Sequence, residues 1–237
     1  TTIVLVSAFV IGYIIFEFML PEFIQKGGPL VVALIALMLM LTTFIFERIF
    51  SLRKAQGRGP ITVFLKNVQQ AINTGDIDAS IAACDKQRGS CANIIRTGLE
   101  RYKTLVDEGD IKGQKAIMED VNHAIEEATM LEVPLLERNL VVLSTIASIS
   151  TMVGLLGTVI GMIRAFEALA RAGAPDAVQL SIGISEALIN TAFGIAGGIG
   201  GIVAYNFFVT KVDNFTYMID EASYSIVQSL VTRKGKK

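Results

Sequence analysis

The sequence predicts an all-α, polytopic membrane protein with three to four transmembrane helices and a cytoplasmic helical domain. Hydrophobic residues make up 52% of the chain and charged residues only 18%, with a mean hydropathy of +0.55. The runs from Asn139 to Ile163 and from Ala177 to Thr210 together contain one acidic or basic side chain, Glu186. Each run exceeds the roughly 20 apolar residues that a helix needs to cross the hydrocarbon core of a bilayer.

The first apolar run predicts an N-terminal transmembrane or membrane-embedded helix over residues 1–20, interrupted only by Glu17. Its length is close to the lower limit for a span, so a helix lying in the membrane surface is the alternative. No basic segment or small-residue cleavage site marks it as a secretory signal, and we interpret it as a retained helix. Pro21, Gly27 and Gly28 then predict a periplasmic loop over 21–28.

Three further membrane helices follow from the remaining low-charge runs. The second helix is predicted over 29–50, where the apolar run ends at Glu47-Arg48. The third and fourth are predicted over 139–165 and 179–210, joined by a polar periplasmic loop over 166–178.

Between these helices, residues 51–138 carry mixed charge, and their apolar residues recur at helical spacing without β signals. Asn73–Asp76 and Glu108–Asp110 have the composition of helix–helix connections. From Gln114 onward only Pro134 interrupts the helical pattern, which predicts one long rod continuing into the third membrane helix.

The distribution of positive charge predicts the orientation. Of the 21 Lys and Arg residues, all except Lys26, Arg164 and Arg171 lie between Arg48 and Arg138 or in residues 211–237. By the positive-inside rule, the domain 51–138 and the C-terminal helix and basic tail 211–237 are cytoplasmic. The basic tail is either a solvated segment whose charge keeps the C-terminus on the cytoplasmic side, which we favour, or a segment that contacts anionic membrane lipids.

Glu186 is a candidate for a functional residue because of its apolar surroundings. A carboxylate at the centre of a membrane helix costs roughly 2.5 to 3.5 kcal/mol on insertion scales, so it faces a bundle interior or a water-filled path. At 100° per residue, Glu186 points about 140° away from Thr191 and faces a different neighbour.

Small residues form stripes along the last two membrane helices, which favours close helix packing. The stripes contain Thr151, Gly154, Thr158, Gly161 and Ala165 on the third helix and Ala187, Thr191, Gly194 and Gly198 on the fourth. We assign the packing role to Gly154, Gly157, Gly161, Gly194 and Gly198. For Thr158 and Thr191 two interpretations stand: bonding to their own backbone, or lining a shared polar path.

Enzymatic functions have little support in the sequence. His123 is the one histidine, and its helical context indicates an ordinary surface or packing residue. Cys84 and Cys91 predict free thiols, and no phosphate-binding G-x-x-x-x-G-K-[ST] loop is present. We expect no enzymatic activity, no metal site, no cofactor and no nucleic-acid partner.

Several segments resemble the ExbB/TolQ/MotA family of proton-channel subunits, most closely its ExbB and TolQ branch. GLLGTVIGMI over Gly154–Ile163, preceded by Leu136–Leu140, is similar to the family's penultimate membrane helix. ISEALINTAFG over Ile184–Gly194, followed by Tyr205-Asn206, is similar to the last one. Glu47-Arg48 resembles the end of the first. The additional N-terminal run exceeds the three-helix pattern and indicates a variant subfamily.

The resemblance implies a homopentameric ring in a bacterial inner membrane around two single-span subunits of the ExbD or TolR type. Proton flow would drive a TonB- or TolA-like periplasmic protein, with the proton-carrying aspartate on the single-span partner. Thr158 and Thr191 match the family's inner-face threonines, and Glu186 matches its carboxylate in the last helix.

The most expected role is TonB-dependent outer-membrane transport. A TolQ-like envelope role and a MotA-like motor stator are the alternatives within the family, and a membrane permease or scaffold subunit is the alternative outside it.

Overall fold

The computed structural model describes residues 2–107, 114–170 and 176–234. These residues form helices and connections without a β-strand, which confirms the all-α prediction. The helices are α1 (Thr2–Phe18), α2 (Glu22–Gln25), α3 (Pro29–Gln56), α4 (Ile61–Thr74), α5 (Ile77–Gln87), α6 (Ser90–Asp107), α7 (Gln114–Glu137), α8 (Leu140–Ala170) and α9 (Ala177–Lys234).

Among the described residues, three helical stretches are long and apolar enough to cross a membrane. They lie within Pro29–Thr74, Lys115–Ala170 and Ala177–Thr232. The apolar helix α1 has 17 residues, at the lower limit for a span, so its crossing of the membrane stays a prediction. The membrane prediction is therefore confirmed for three helices.

The chain divides into two compact units, and the first comprises the described parts of residues 1–48 and 139–208. Its core contains Val31 and Leu34 of α3 and Leu143 of α8, each at most 1% exposed. Helix α1 packs on α3 at Gly12, where a Cβ atom would lie 3.3 Å from the Val32 carbonyl oxygen. The apolar helix at the N-terminus is thus part of this unit.

Large apolar side chains also cover the outside of α8 and α9. Leu155, Leu188 and Val203 are each at least 64% exposed. A helix that is apolar all round requires an apolar environment on every side. Lipid or other chains must cover this surface.

The second unit comprises the described parts of residues 49–138 and 209–237. Its helices pack in sequence, α4 on α5, α5 on α6 and α6 on α7. Gly75 ends α4 with φ 95°, and the Asp76 side chain caps α5 by accepting a hydrogen bond from the Ala79 amide at 2.8 Å. This is the connection predicted at Asn73–Asp76. The one predicted at Glu108–Asp110 lies outside the described residues.

The prediction of one long rod is wrong. Helix α7 includes Pro134 and ends at Glu137, and Asn139, with φ 67°, separates it from α8. Asparagine tolerates this left-handed conformation. The Nδ2 of Asn139 donates to Glu47 Oε2 at 3.4 Å. The break between α7 and α8 thus coincides with a polar contact between Asn139 and Glu47.

Helices α8 and α9 both extend into the range of the predicted loop 166–178. Helix α8 continues to Ala170, and Asp176 caps α9 by accepting from the Val178 and Gln179 amides at 3.1 and 3.0 Å. Residues 171–175 of the predicted loop lie outside the described residues.

Candidate functional site

Glycines bring the backbones of α8 and α9 into direct contact. A Cβ atom at Gly154 would lie 2.8 Å from the Gly194 Cα, and one at Gly161 would lie 2.7 Å from the Gly183 carbonyl oxygen. Real Cβ atoms do not approach backbone atoms this closely, so only glycine fits. This close approach lets short side chains on the two helices touch.

Thr158 of α8 and Thr191 of α9 use this proximity, because their hydroxyl groups contact each other directly. Thr158 Oγ1 also lies 3.3 Å from the Gly154 carbonyl, and Thr191 Oγ1 lies 3.0 Å from the Ala187 carbonyl. Two hydroxyl protons cannot serve three hydrogen bonds at the same time. Both protons are therefore engaged, whereas lone pairs on the two hydroxyl oxygens remain unused as acceptors, and both residues are half-buried.

The remaining small residues accommodate polar side chains. Gly157 packs on the Asn190 side chain, and Gly198 lies against the Thr151 hydroxyl. Asn190 is fully buried, and its Nδ2 donates to the Gly27 and Glu186 carbonyls at 2.8 and 2.9 Å. Among the described residues, its Oδ1 has no hydrogen-bond partner. Asn190 thereby ties α9 to the segment that precedes α3.

Glu186 lies apart from the threonines, in a cluster with Arg164. Arg164 Nη1 is 2.6 Å from both carboxylate oxygens of Glu186. The Glu186 side chain is only 3% exposed, whereas that of Arg164 is 51% exposed. Gly28, with φ 75°, closes over the carboxylate, since a Cβ there would lie 2.5 Å from Glu186 Oε1. Glu186 and Thr191 thus contact different neighbours, as their helical rotation predicts.

Sequence reasoning missed Arg164 and Asn190 as parts of this arrangement. In the sequence, Arg164 is distinguished only as one of the three basic residues outside the segments 48–138 and 211–237. The available signal was the opposite charge of Arg164 and Glu186 on consecutive helices, 22 residues apart across one short connection.

In the second unit, the two cysteines are free and buried. Burial raises the pKa of the Cys84 thiol to about 12, with a smaller contribution from Cys91, and burial raises that of Cys91 to about 12. His123 has a side chain that is 75% exposed. These residues do not extend the polar cluster between α8 and α9.

A family model described as "MotA/TolQ/ExbB proton channel family" matches residues 86–221, more than half of the chain. The chain belongs to this family. The matched region contains Thr158, Thr191, Glu186 and every glycine assigned to helix packing. It does not include α1 and α3, so Gly27 and Gly28 lie outside it.

Individual members of the MotA/TolQ/ExbB family are similar over parts of their length. The Tol-Pal system protein TolQ of Pseudomonas aeruginosa is 36% identical over 118 residues, which cover 50% of this chain and 51% of TolQ. The biopolymer transport protein ExbB of Pseudomonas putida is 22% identical over 207 residues, 87% of this chain and 62% of that protein. ExbB of Helicobacter pylori is 41% identical over 78 residues, 33% of this chain and 54% of its own length. The chain thus spans about half to three fifths of the length of these relatives.

Proposed function

We propose that this chain forms the wall of a proton channel that converts the proton motive force into mechanical work on a periplasmic protein. The observation that carries the proposal is the direct contact between the Thr158 and Thr191 hydroxyls in a chain of this family. In our proposal, the two hydroxyls face a single-span partner of the ExbD or TolR type.

The chemistry of the threonine pair suits this role. A hydroxyl both donates and accepts, so the unused lone pairs of the pair can accept a hydrogen bond from a protonated partner carboxyl group, and a hydroxyl that gives up its backbone bond can donate to the ionised form. This reduces the penalty for a charge in an apolar environment. One proton crossing 100 mV releases roughly 2.3 kcal/mol, enough to bias one helix arrangement over another.

Glu186 has a different part in the proposed channel. Because Arg164 binds both of its oxygens, we assign Glu186 the role of a charge paired with Arg164 beside the path, apart from the threonine pair. Asn190 and the Gly27–Gly28 segment hold this charge in place.

The proposed assembly is a homopentamer around two partner subunits in a bacterial inner membrane. Residues 51–138 and 211–237 are proposed to be cytoplasmic, following the distribution of Lys and Arg. The exposed apolar side chains of α8 and α9 support contacts with lipid and neighbouring subunits.

The proposed driven partner is a TonB-like protein that serves outer-membrane transport. The similarity to a TolQ protein favours one alternative, a TolA-like partner and a role in envelope maintenance. A MotA-like motor stator is the third possibility within the family.

Native mass spectrometry of the complex, extracted gently from its own membrane, tests the assembly. We expect a mass of five copies of this chain and two small single-span chains, and the larger co-purifying protein identifies a TonB- or TolA-like partner. A monomer or dimer bound to an ATPase, or a ring that lacks a single-span chain, would overturn the proposal.

A further inference from the structure

We propose that the second unit contains a binding site for a phosphate ester, located where the end of α3 meets the start of α6. A cavity of about 550 Å³ lies there. Its polar lining comes from separate elements and includes Lys54, Arg58, Arg88, Ser90, Asn93 and Glu132. The cavity lies within this unit, and the inference does not depend on the proposed channel function.

The three basic side chains supply the attraction for an anion. Lys54, Arg58 and Arg88 are exposed, and none of them forms a side-chain hydrogen bond or an ion pair within the described ranges. Elsewhere in the same unit basic side chains do pair, as Arg96 does with Asp85 and Glu100. Three cations that line one cavity without partners repel one another, and a bound anion relieves that repulsion.

The single carboxylate in the lining does not neutralise this charge. Glu132 Oε1 accepts a hydrogen bond from Asn93 Nδ2 at 2.9 Å instead of pairing with one of the three cations. The cavity therefore keeps an excess of two positive charges, which suits a monoanionic or dianionic phosphate group.

Ser90 provides an observation that is independent of the cations. It is 7% exposed and lines the cavity, and its hydroxyl makes no hydrogen bond within the part of the chain that the structure describes. Ser90 begins the 18-residue helix α6, whose first amides have no partner within the helix. The hydroxyl of this buried residue and these amides can donate to phosphate oxygens.

The cavity is formed before a ligand binds, because two backbone segments hold its rim. The Arg58 amide donates to the Gln87 carbonyl at 2.8 Å, and Gln87 Nε2 donates to the Gly59 carbonyl at 2.9 Å. Gly89, with φ 96°, packs directly on the Ala55 carbonyl. These contacts hold the backbone segments that carry Arg58 and Arg88 against each other.

Two sources could supply the phosphate ester: the headgroup of an anionic phospholipid, or a soluble phosphate monoester. Lys54 follows Phe46, the end of the apolar run, by eight residues of one helix, or about 12 Å along its axis. A lysine side chain can reach back from that distance into the headgroup layer. The exposed Leu135 in the lining also suits a lipid.

Binding to the purified full-length protein distinguishes these sources. The probes are dioleoylphosphatidylglycerol, dioleoylphosphatidylcholine as the neutral-headgroup comparison, and glycerol 1-phosphate, with binding measured by native mass spectrometry and titration calorimetry. The variant is Lys54→Gln/Arg58→Gln. The control Lys66→Gln/Lys86→Gln removes the same charge from exposed residues outside the cavity.

We expect phosphatidylglycerol or glycerol 1-phosphate to bind about 30-fold more weakly to the variant than to the control, from about 1 kcal/mol per removed cation. If the variant binds only phosphatidylglycerol more weakly than the control does, the site is a lipid site. If the variant binds glycerol 1-phosphate more weakly than the control does, the site accepts soluble phosphate esters. Equal binding to variant and control, or binding of neither probe above the phosphatidylcholine level, overturns the proposal. If the double variant does not fold, Arg88→Gly repeats the test, because glycine adopts the φ of 56° at that position without strain.

Discussion

Arg164 and Glu186 form an ion pair in which one guanidinium nitrogen lies 2.6 Å from both carboxylate oxygens. The pair joins the end of α8 to the start of α9. Its two members differ in environment, since Glu186 is buried and Arg164 is half-exposed. A buried carboxylate requires a partner, because its loss of hydration is not otherwise compensated.

Arg164→Gln should therefore destabilise the protein by about 1 to 3 kcal/mol, less than for a fully buried pair because Arg164 is partly solvated. Arg164→Gln/Glu186→Gln should recover most of this loss, since no buried charge remains. Thermal unfolding in detergent measures both effects. Glu167→Gln, which removes an exposed carboxylate of α8, serves as the control. A double variant that is less stable than Arg164→Gln would contradict the interpretation.

Replacing one hydroxyl of the threonine pair tests the proposed proton path. Thr158→Val keeps the shape of the side chain but removes its hydrogen bonds, and a hydrogen bond to a charged group contributes about 1.5 to 3 kcal/mol. We expect proton flux through the reconstituted complex to fall roughly 10- to 100-fold while the complex still assembles. Flux is measured with a pH-sensitive dye in liposomes.

Thr145→Val is the matched control for this substitution. Thr145 also lies on α8 and bonds its own backbone, at 2.7 Å to the Val141 carbonyl, but it is exposed and contacts no second hydroxyl among the described residues. Its flux should stay at the parental level. Equal flux in Thr158→Val and Thr145→Val would remove the threonine pair from the path.

Helix packing can be tested with two alanine substitutions in α9. A Cβ at Gly194 would lie 2.6 Å from the Gly154 Cα, whereas one at Gly200 would lie 3.5 Å from Leu41 Cδ2. Gly194→Ala should lower stability by about 1 to 3 kcal/mol because the two backbones must separate. Gly200→Ala should leave the thermal midpoint unchanged or raise it, since alanine favours helix. Similar midpoints for both variants would show that α8 and α9 do not require this contact.

The buried thiols predict a stability loss at alkaline pH. Burial raises the pKa of Cys84 and Cys91 from 9.0 to about 12, so between these values the unfolded chain releases protons that the folded chain retains. Stability therefore falls as pH rises above about 9, by up to about 1.4 kcal/mol per pH unit for each thiol. Thermal unfolding from pH 8 to 10.5 measures how steeply the free energy of unfolding falls with pH. The variant Cys84→Ala/Cys91→Ala should make this fall shallower. An unchanged slope in that variant would exclude the thiols as its cause.

Much of the fold was predictable because helices depend on local patterns. The apolar runs predicted α3, α8 and α9, and the spacing of small residues placed Gly154 and Gly194 each on a stripe of small residues along its own helix. The break at Asn139 was missed because the residues on both sides favour helix, and the contact of its side chain with Glu47 is not local. Asn190 was overlooked for the same reason, since its carbonyl partner at Gly27 is 163 residues away.

The sequence by itself determined which segments are helical, which are apolar enough for a membrane, and on which helix faces Glu186 and Thr191 lie. These properties follow from side-chain polarity and a repeat of 3.6 residues, which act over a few residues. Only the tertiary structure decided that Thr158 meets Thr191, that Glu186 pairs with Arg164, and that Arg58 and Arg88 line one cavity. Such contacts depend on how far one helix shifts along another, and in α8 and α9 that register is set by backbone contact at glycines.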